Sequence, residues 1–324
     1  MPLVGAALLP SIVTHLSDVG SGLQRLTLAD LATTGTSGYD LSVAAPGMFT
    51  LDFREPTPVA IALASDCGRF SCAAFQSVSD IATAFDNRDS FAWALVRLYY
   101  AAFYAGHALI RTAGEGCSFF YKRHTDRIAI VADASGIVPA IRIDAGLYHC
   151  VLNPTSSAVT YLKAASTSGG AHEAFWLVFG NKLRSIADGI LAGPLPRADA
   201  QAVFAKLDQM LQILNRKRGY SWLSLVRDDL QYRLQHGAWF PETMKSQARR
   251  DLGRVASQWK RDPMMIDLSN QRWGLLGDFS LACAFIVSLC REIFGLIAGR
   301  SSKGRRSFAV TGPLAFLSDI GVAA

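Results

Sequence analysis

Charge is scarce in this 324-residue chain, with 18% of residues charged and half apolar. Such a chain can bury a large core and need not be disordered, and one large domain or two closely packed ones is expected. Long apolar runs are lacking as well. The longest uncharged stretch near the C-terminus, Phe279–Cys290, is 12 residues long and is closed by Arg291 and Glu292. This falls short of the roughly 20 residues of a membrane helix, so it reads as a buried core helix. No basic residue precedes Arg25, and Pro10 interrupts the apolar start, so the charged region of a secretory signal is missing. A cytoplasmic protein with no membrane partner is expected. The six cysteines (67, 72, 117, 150, 283 and 290) form no CxxC pair and suggest no disulfide framework. A zinc set of Cys67, Cys72, Cys117 and His124 fits no common ligand spacing, so no metal or other cofactor is expected. GxGxxG, P-loop, HExxH and GxSxG motifs are absent, which removes support for a small-molecule enzyme.

What is present is an uneven positive charge. The net charge is +6, yet residues 201–324 hold 18 basic against 10 acidic side chains, while the first 200 hold 14 against 16. The surplus gathers in Arg216-Lys217-Arg218, Arg249-Arg250, Lys260-Arg261 and Lys303–Arg306. Two readings stand side by side, a polyanion partner and a solvated basic surface.

Residues 1–85 are rich in Gly, Ala, Ser and Thr, with short apolar runs (Met48–Phe53, Val59–Ala64) around Pro56 and Pro58. They read as an irregular segment of short strands and turns. From Ser90 the period changes: Trp93, Val96, Tyr100 and Phe103 keep helical spacing, and Gly114 makes a stop. Between 117 and 165, β-prone runs at Arg127–Val131, Val138–Ile143, Tyr148–Leu152 and Val159–Leu162 alternate with turn formers, which predicts a small antiparallel β insertion. Helices are predicted over 171–191, 198–217, 221–236 and 278–298, and a basic tail over 301–324. The fold class is mainly α, with residues 86–300 as the main helical domain.

Two segments carry a family resemblance. WALVRLYYAAFYAGHALIR (93–111) resembles the aromatic early helix of the HEPN superfamily, and WLSLVRDDLQYRLQHGAWFP (222–241) resembles its signature helix, in which an Arg and a polar residue precede a His. The resemblance spans about residues 85–300. It implies a HEPN-like helical bundle that cleaves RNA without a metal, by 2′-hydroxyl attack, in microbial defence or toxin systems. It also implies a homodimer, or a regulatory protein encoded by a neighbouring gene. The alternative reading is a non-catalytic dimerising or RNA-binding module.

The chemistry agrees with this. Attack by the 2′-hydroxyl needs a proton acceptor and a cation on the phosphate oxygens. Arg227 offers a fork of donors matched to phosphate, and a neutral His exchanges protons near pH 7. The family spacing, however, places the His at 232–234, where this chain has Tyr232, Arg233 and Leu234. The nearest is His236, nine steps of about 100° from Arg227, on the far face of an unbroken helix. His236 reaches Arg227 only if the helix unwinds before Gly237. The candidate catalytic residues are therefore Arg227, Asp228 and His236, with His107, Tyr232 and Arg233 as accessories. Arg249, Arg250, Lys260 and Arg261 are the candidate RNA contacts. Tyr99, Tyr100, Phe103 and Tyr104 read first as core, and Trp239 and Phe240 as the fastening of the following loop.

Overall fold

The computed structural model describes residues 3–22, 26–33, 38–137, 143–153, 155–164, 170–269 and 274–323. The chain is mainly helical with one small antiparallel sheet. At its centre lies α4 (Phe91–Thr112), packed by α2 (Thr57–Val78) and α10 (Gly274–Arg300). Residues on almost every side of α4 are buried, because its Ala-rich sequence lets neighbours approach closely while Leu95, Leu98, Tyr99 and Ile110 fill the gaps. Gly114, with φ +76°, stops the helix where the sequence places the break.

Helix α10 is 27 residues long, and by length and composition it is apolar enough to cross a bilayer; 83% of its most apolar window is buried inside the protein. The reading of this region as a core helix holds. Its charged residues are held individually. Asp278 pairs with Arg216 at 2.7 Å, and Arg291 donates to the carbonyls of Lys260 and Arg261 at 2.6 and 2.9 Å. Cys283 and Cys290 are small buried apolar groups on this helix.

The sheet has the order β1-β2-β5-β4-β3, formed by Tyr39–Ala45, Met48–Phe53, Ala158–Lys163, Gly146–Leu152 and Glu115–Phe120, all antiparallel. Register places Phe49 opposite Tyr161 and Tyr161 opposite Cys150. One face is an aromatic layer in which Phe49 stacks on Tyr161 at 4.8 Å and Phe120 meets Tyr148 at the same separation.

Several expectations are corrected here. The sheet is not confined to an insertion, since β1 and β2 come from the first 85 residues. Within that region Met48–Phe53 is a strand as expected, whereas Val59–Ala64 lies in α2, a 22-residue helix that starts with Pro58 in its first turn, where proline fits. Arg127–Val131 is not a strand but part of α5 (Lys122–Ala134), whose Ile128 is buried. The run at 138–142 lies outside the described residues. Residues 301–323 are not a tail. Ser307 bridges to Gly20, and Phe308, Ala309 and Leu317 are buried, with α11 (Ala315–Asp319) against α2.

The expected helices at 171–191 and 198–217 appear as α6 (Gly170–Leu191) and α7 (Arg197–Leu214). Besides α2, α5 and α11, the short α1 (Leu3–Leu8) falls outside the expected helices, as do α3 (Ile81–Asp86) and α9 (Ser246–Ala256). Helices α3 and α9 pack closely at Gly253, where a Cβ would lie 3.1 Å from that of Phe85. Another close approach is at Gly180 of α6, where a Cβ would fall 2.2 Å from the Tyr220 ring.

Buried polar groups tie α2, α4 and the sheet together. Arg111, 1% exposed, donates from Nε to Asp66 at 3.1 Å and from Nη2 to the Cys117 carbonyl at 2.8 Å. Its cation also lies 4.6 Å over the Phe70 ring. Asp66 further accepts from Arg69. On the other side of β3, Glu115 bonds His149 at 2.8 Å and Lys182 of α6 at 2.9 Å.

Candidate functional site

Helix α8 (Trp222–Gln231) is short and amphipathic, and Leu223, Val226 and Leu230 seat it in the core. That seating turns Arg227 inward against α4 of its own chain, leaving it 5% exposed. Its cation lies 5.3 Å over the Tyr99 ring and 5.8 Å over that of Tyr232, and Nη1 is 3.2 Å from Asp228. Its buried Nε–H has no hydrogen-bond partner among the described residues. An orphaned guanidinium donor in the interior is costly, and the Nε–H groups of Arg249 and Arg291 share this state.

Tyr99 links this cation to α6. Its hydroxyl accepts the Trp176 indole N–H at 3.0 Å and bonds His172 Nδ1 at 2.9 Å. Burial pushes the phenol up to about 12, against the opposing effects of Trp176 and Arg227. His172 is half-buried, with its ring 4.3 Å from that of Phe103. Burial first, and then the Arg227 cation, push its pKa down to about 4. At neutral pH this is an uncharged imidazole beside a permanent cation, joined through one phenol.

Of the residues expected from the sequence, Arg227, Asp228 and Tyr232 come together. His236 does not join them. The helix does unwind before Gly237, as the pairing requires, but it ends at Gln231, five residues before His236. Leu234 and His236 both take positive φ, and the Trp239 indole donates to the Leu230 carbonyl at 2.7 Å, closing a tight loop. Within that loop His236 Nε2 lies 3.5 Å from Asp229, which also receives Arg233 at 2.6 Å. Both side chains thus fold back on Asp229.

His107 lies in the core, separated from His172 by the Phe103 ring, which is 4.6 Å from His107 and 4.3 Å from His172. It is 6% exposed, stacked between Phe70 at 4.7 Å and Phe175 at 3.8 Å, and bonded to Arg111 at 3.0 Å. Burial, then Arg111, hold its pKa well below the ordinary value. The residue that the sequence reading missed is His172. Its signal was a histidine in register with Phe175, Phe179 and Leu183 on the apolar stripe of α6.

The basic clusters divide. Arg249 is structural, 8% exposed, and donates to the carbonyls of Met244 at 2.7 Å and Asp86 at 3.3 Å. Arg250, Lys260 and Arg261 do meet, together with Arg254, around an open groove of about 880 Å³ between α3 and α9. For the four zinc candidates, Cys67 is buried near Arg111, and His124 faces Asp30 at 3.2 Å. Among the described residues, no three or more His, Cys, Asp or Glu side chains gather as a metal-holding group. No family model, no curated protein and no solved structure matches the chain.

Proposed function

We propose that the protein is an endoribonuclease of the HEPN type that cleaves RNA without a metal, with Arg227 and His172 as its reacting pair. The carrying observation is that Tyr99 joins the two groups, the Arg227 cation over its ring and the His172 imidazole at its hydroxyl, with the Arg227 Nε–H unpartnered. In this reading a phosphate oxygen accepts from Arg227, which neutralises charge as the 2′-oxygen attacks phosphorus. His172, with its Nδ1–H donated to Tyr99, takes the 2′-hydroxyl proton on Nε2. The P–O5′ bond breaks, leaving a 2′,3′-cyclic phosphate, and the departing 5′-oxygen collects a proton. Phosphate on Arg227 also cancels the charge that depresses His172, so substrate binding strengthens the base. The defence or toxin setting is proposed from the HEPN resemblance alone.

Arg227→Ala and His172→Asn are each expected to lower cleavage of a mixed RNA in EDTA by about 10²-fold or more, whereas His236→Ala retains activity. Full activity in a folded Arg227→Ala protein would end this assignment. A second reading, a non-catalytic RNA-binding module, is favoured by the 5% exposure of Arg227, which leaves a ligand little access. It predicts a wild type that binds RNA and cleaves none.

A further inference from the structure

Between the basic groove and the Arg227 site lie further cations and exposed aromatic rings. At one end, Lys260 and Arg261 are exposed, and no carboxylate pairs with either among the described residues. Their backbone is fixed from below, because Arg291 of α10 donates to both carbonyls and the Ser288 hydroxyl bonds that of Arg261. Two cations held on a rigid turn present a preorganised anion site. Arg250 and Arg254 flank them, sharing their charge with Asp86 at 3.6 Å and Asp251 at 2.7 Å.

From Asp86 the chain runs to Arg88, whose guanidinium lies 5.0 Å over the Phe240 ring. Phe240 is 76% exposed. Its neighbour Trp239 meets Trp93, itself 52% exposed, edge to face at 5.4 Å. The Trp239 indole is bonded to α8, and the exposed ring of Tyr232 covers Arg227. The exposed rings of Trp93, Tyr232 and Phe240 stand in water, while Trp239 packs against the core beneath them. Their alternation with arginines suits an unpaired polynucleotide, whose bases stack on rings while its phosphates meet cations. A duplex offers no free base faces to stack.

We infer that single-stranded RNA runs from the Arg250–Arg261 groove across Phe240 and Trp93 to Tyr232, which makes unpaired RNA the substrate class of the Arg227 site. This inference rests on the nuclease reading for its destination but not for its binding surface. The test uses full-length Arg227→Ala protein, which separates binding from cleavage, and a labelled oligouridine of about 20 nucleotides. Binding is read by anisotropy and by quenching of tryptophan fluorescence. Phe240→Ala and Trp93→Ala are each expected to weaken binding by about five- to a hundredfold. The double variant Arg254→Gln/Arg261→Gln should flatten the log–log salt dependence by about 1.4 from a slope near −2.8, at about 0.7 per phosphate contact. Duplex RNA should bind far more weakly.

Equal affinity for duplex, or aromatic variants that bind like their parent, would overturn the inference. So would a protein that fails to bind RNA and instead pairs with a second copy through Phe240. If oligouridine binds along the track while wild-type protein cleaves no RNA, the inference stands and the nuclease reading falls. If cleavage proceeds with KM unchanged in Phe240→Ala and Trp93→Ala, the reverse holds.

Discussion

Removal of the Asp66 carboxylate is expected to be among the most damaging single changes in this protein. Asp66 and Arg111 are 2% and 1% exposed, so neither charge can be resolvated by water when its partner is lost. In Asp66→Ala, Arg111 keeps its bonds to the carbonyls of His107 and Cys117 but loses the carboxylate at 3.1 Å. Breaking such a pair from one side costs about 3–5 kcal/mol. At roughly 2–4 °C per kcal/mol for a domain of this order, the melting temperature should fall by about 6–20 °C. Urea unfolding followed by tryptophan fluorescence measures the loss. The double variant Asp66→Leu/Arg111→Met removes both charges and should cost clearly less than the sum of the single changes. A single-variant loss below about 1 kcal/mol, or strict additivity in the double variant, would refute the view of this pair as an interdependent buried clasp.

Three further outcomes are expected. Burial alone would raise Glu115, but the bonds from His149 and Lys182 prevail and hold its pKa below the ordinary 4.5. Its stabilisation is therefore present above pH 4.5 and lost as the pH falls through the lowered value, so Glu115→Gln should be less stable than wild type at pH 7 and approach it in acid melts. His172 should titrate near 4 by NMR and move up in Arg227→Gln without reaching its ordinary value, because burial is the larger cause; no change in that variant would separate the two groups. Gly180→Ala should cost about 1–3 kcal/mol through overlap with Tyr220, and Tyr220→Gly in the same chain should relieve it, both read by urea midpoints.

The long helices were legible because their apolar stripes repeat over many turns, as along Phe175, Phe179, Leu183 and Ile190. Short stretches misled where composition and period disagreed. Ile128, Ala129, Ile130 and Val131 look β-prone one by one, yet Ile128 alone is buried and a helix satisfies the backbone. In α9 the basic residues drew the eye from Leu252, Val255 and Ala256, which seat the helix. Arg249 looked like its neighbour Arg250, and nothing local reveals that two carbonyls from different segments enclose it. Arg227 was readable from a motif, whereas His172 was not. Its place in the proposed pair depends on α6 crossing α4 at Tyr99, a contact between residues 73 positions apart.

The encasement of α10 bears on how the molecule is made. During synthesis, α2, α4, the five strands, α6 and α7 all leave the ribosome before residue 274, so α4 waits with a large apolar flank uncovered. When α10 emerges it is long and apolar enough to cross a bilayer, and docking on the waiting helices is what buries it. Until it docks, the apolar flank of the earlier elements is open to aggregation. Changes that slow docking of α10, such as loss of the Arg216 contact to Asp278, would lower the yield of soluble protein well before they altered the finished structure.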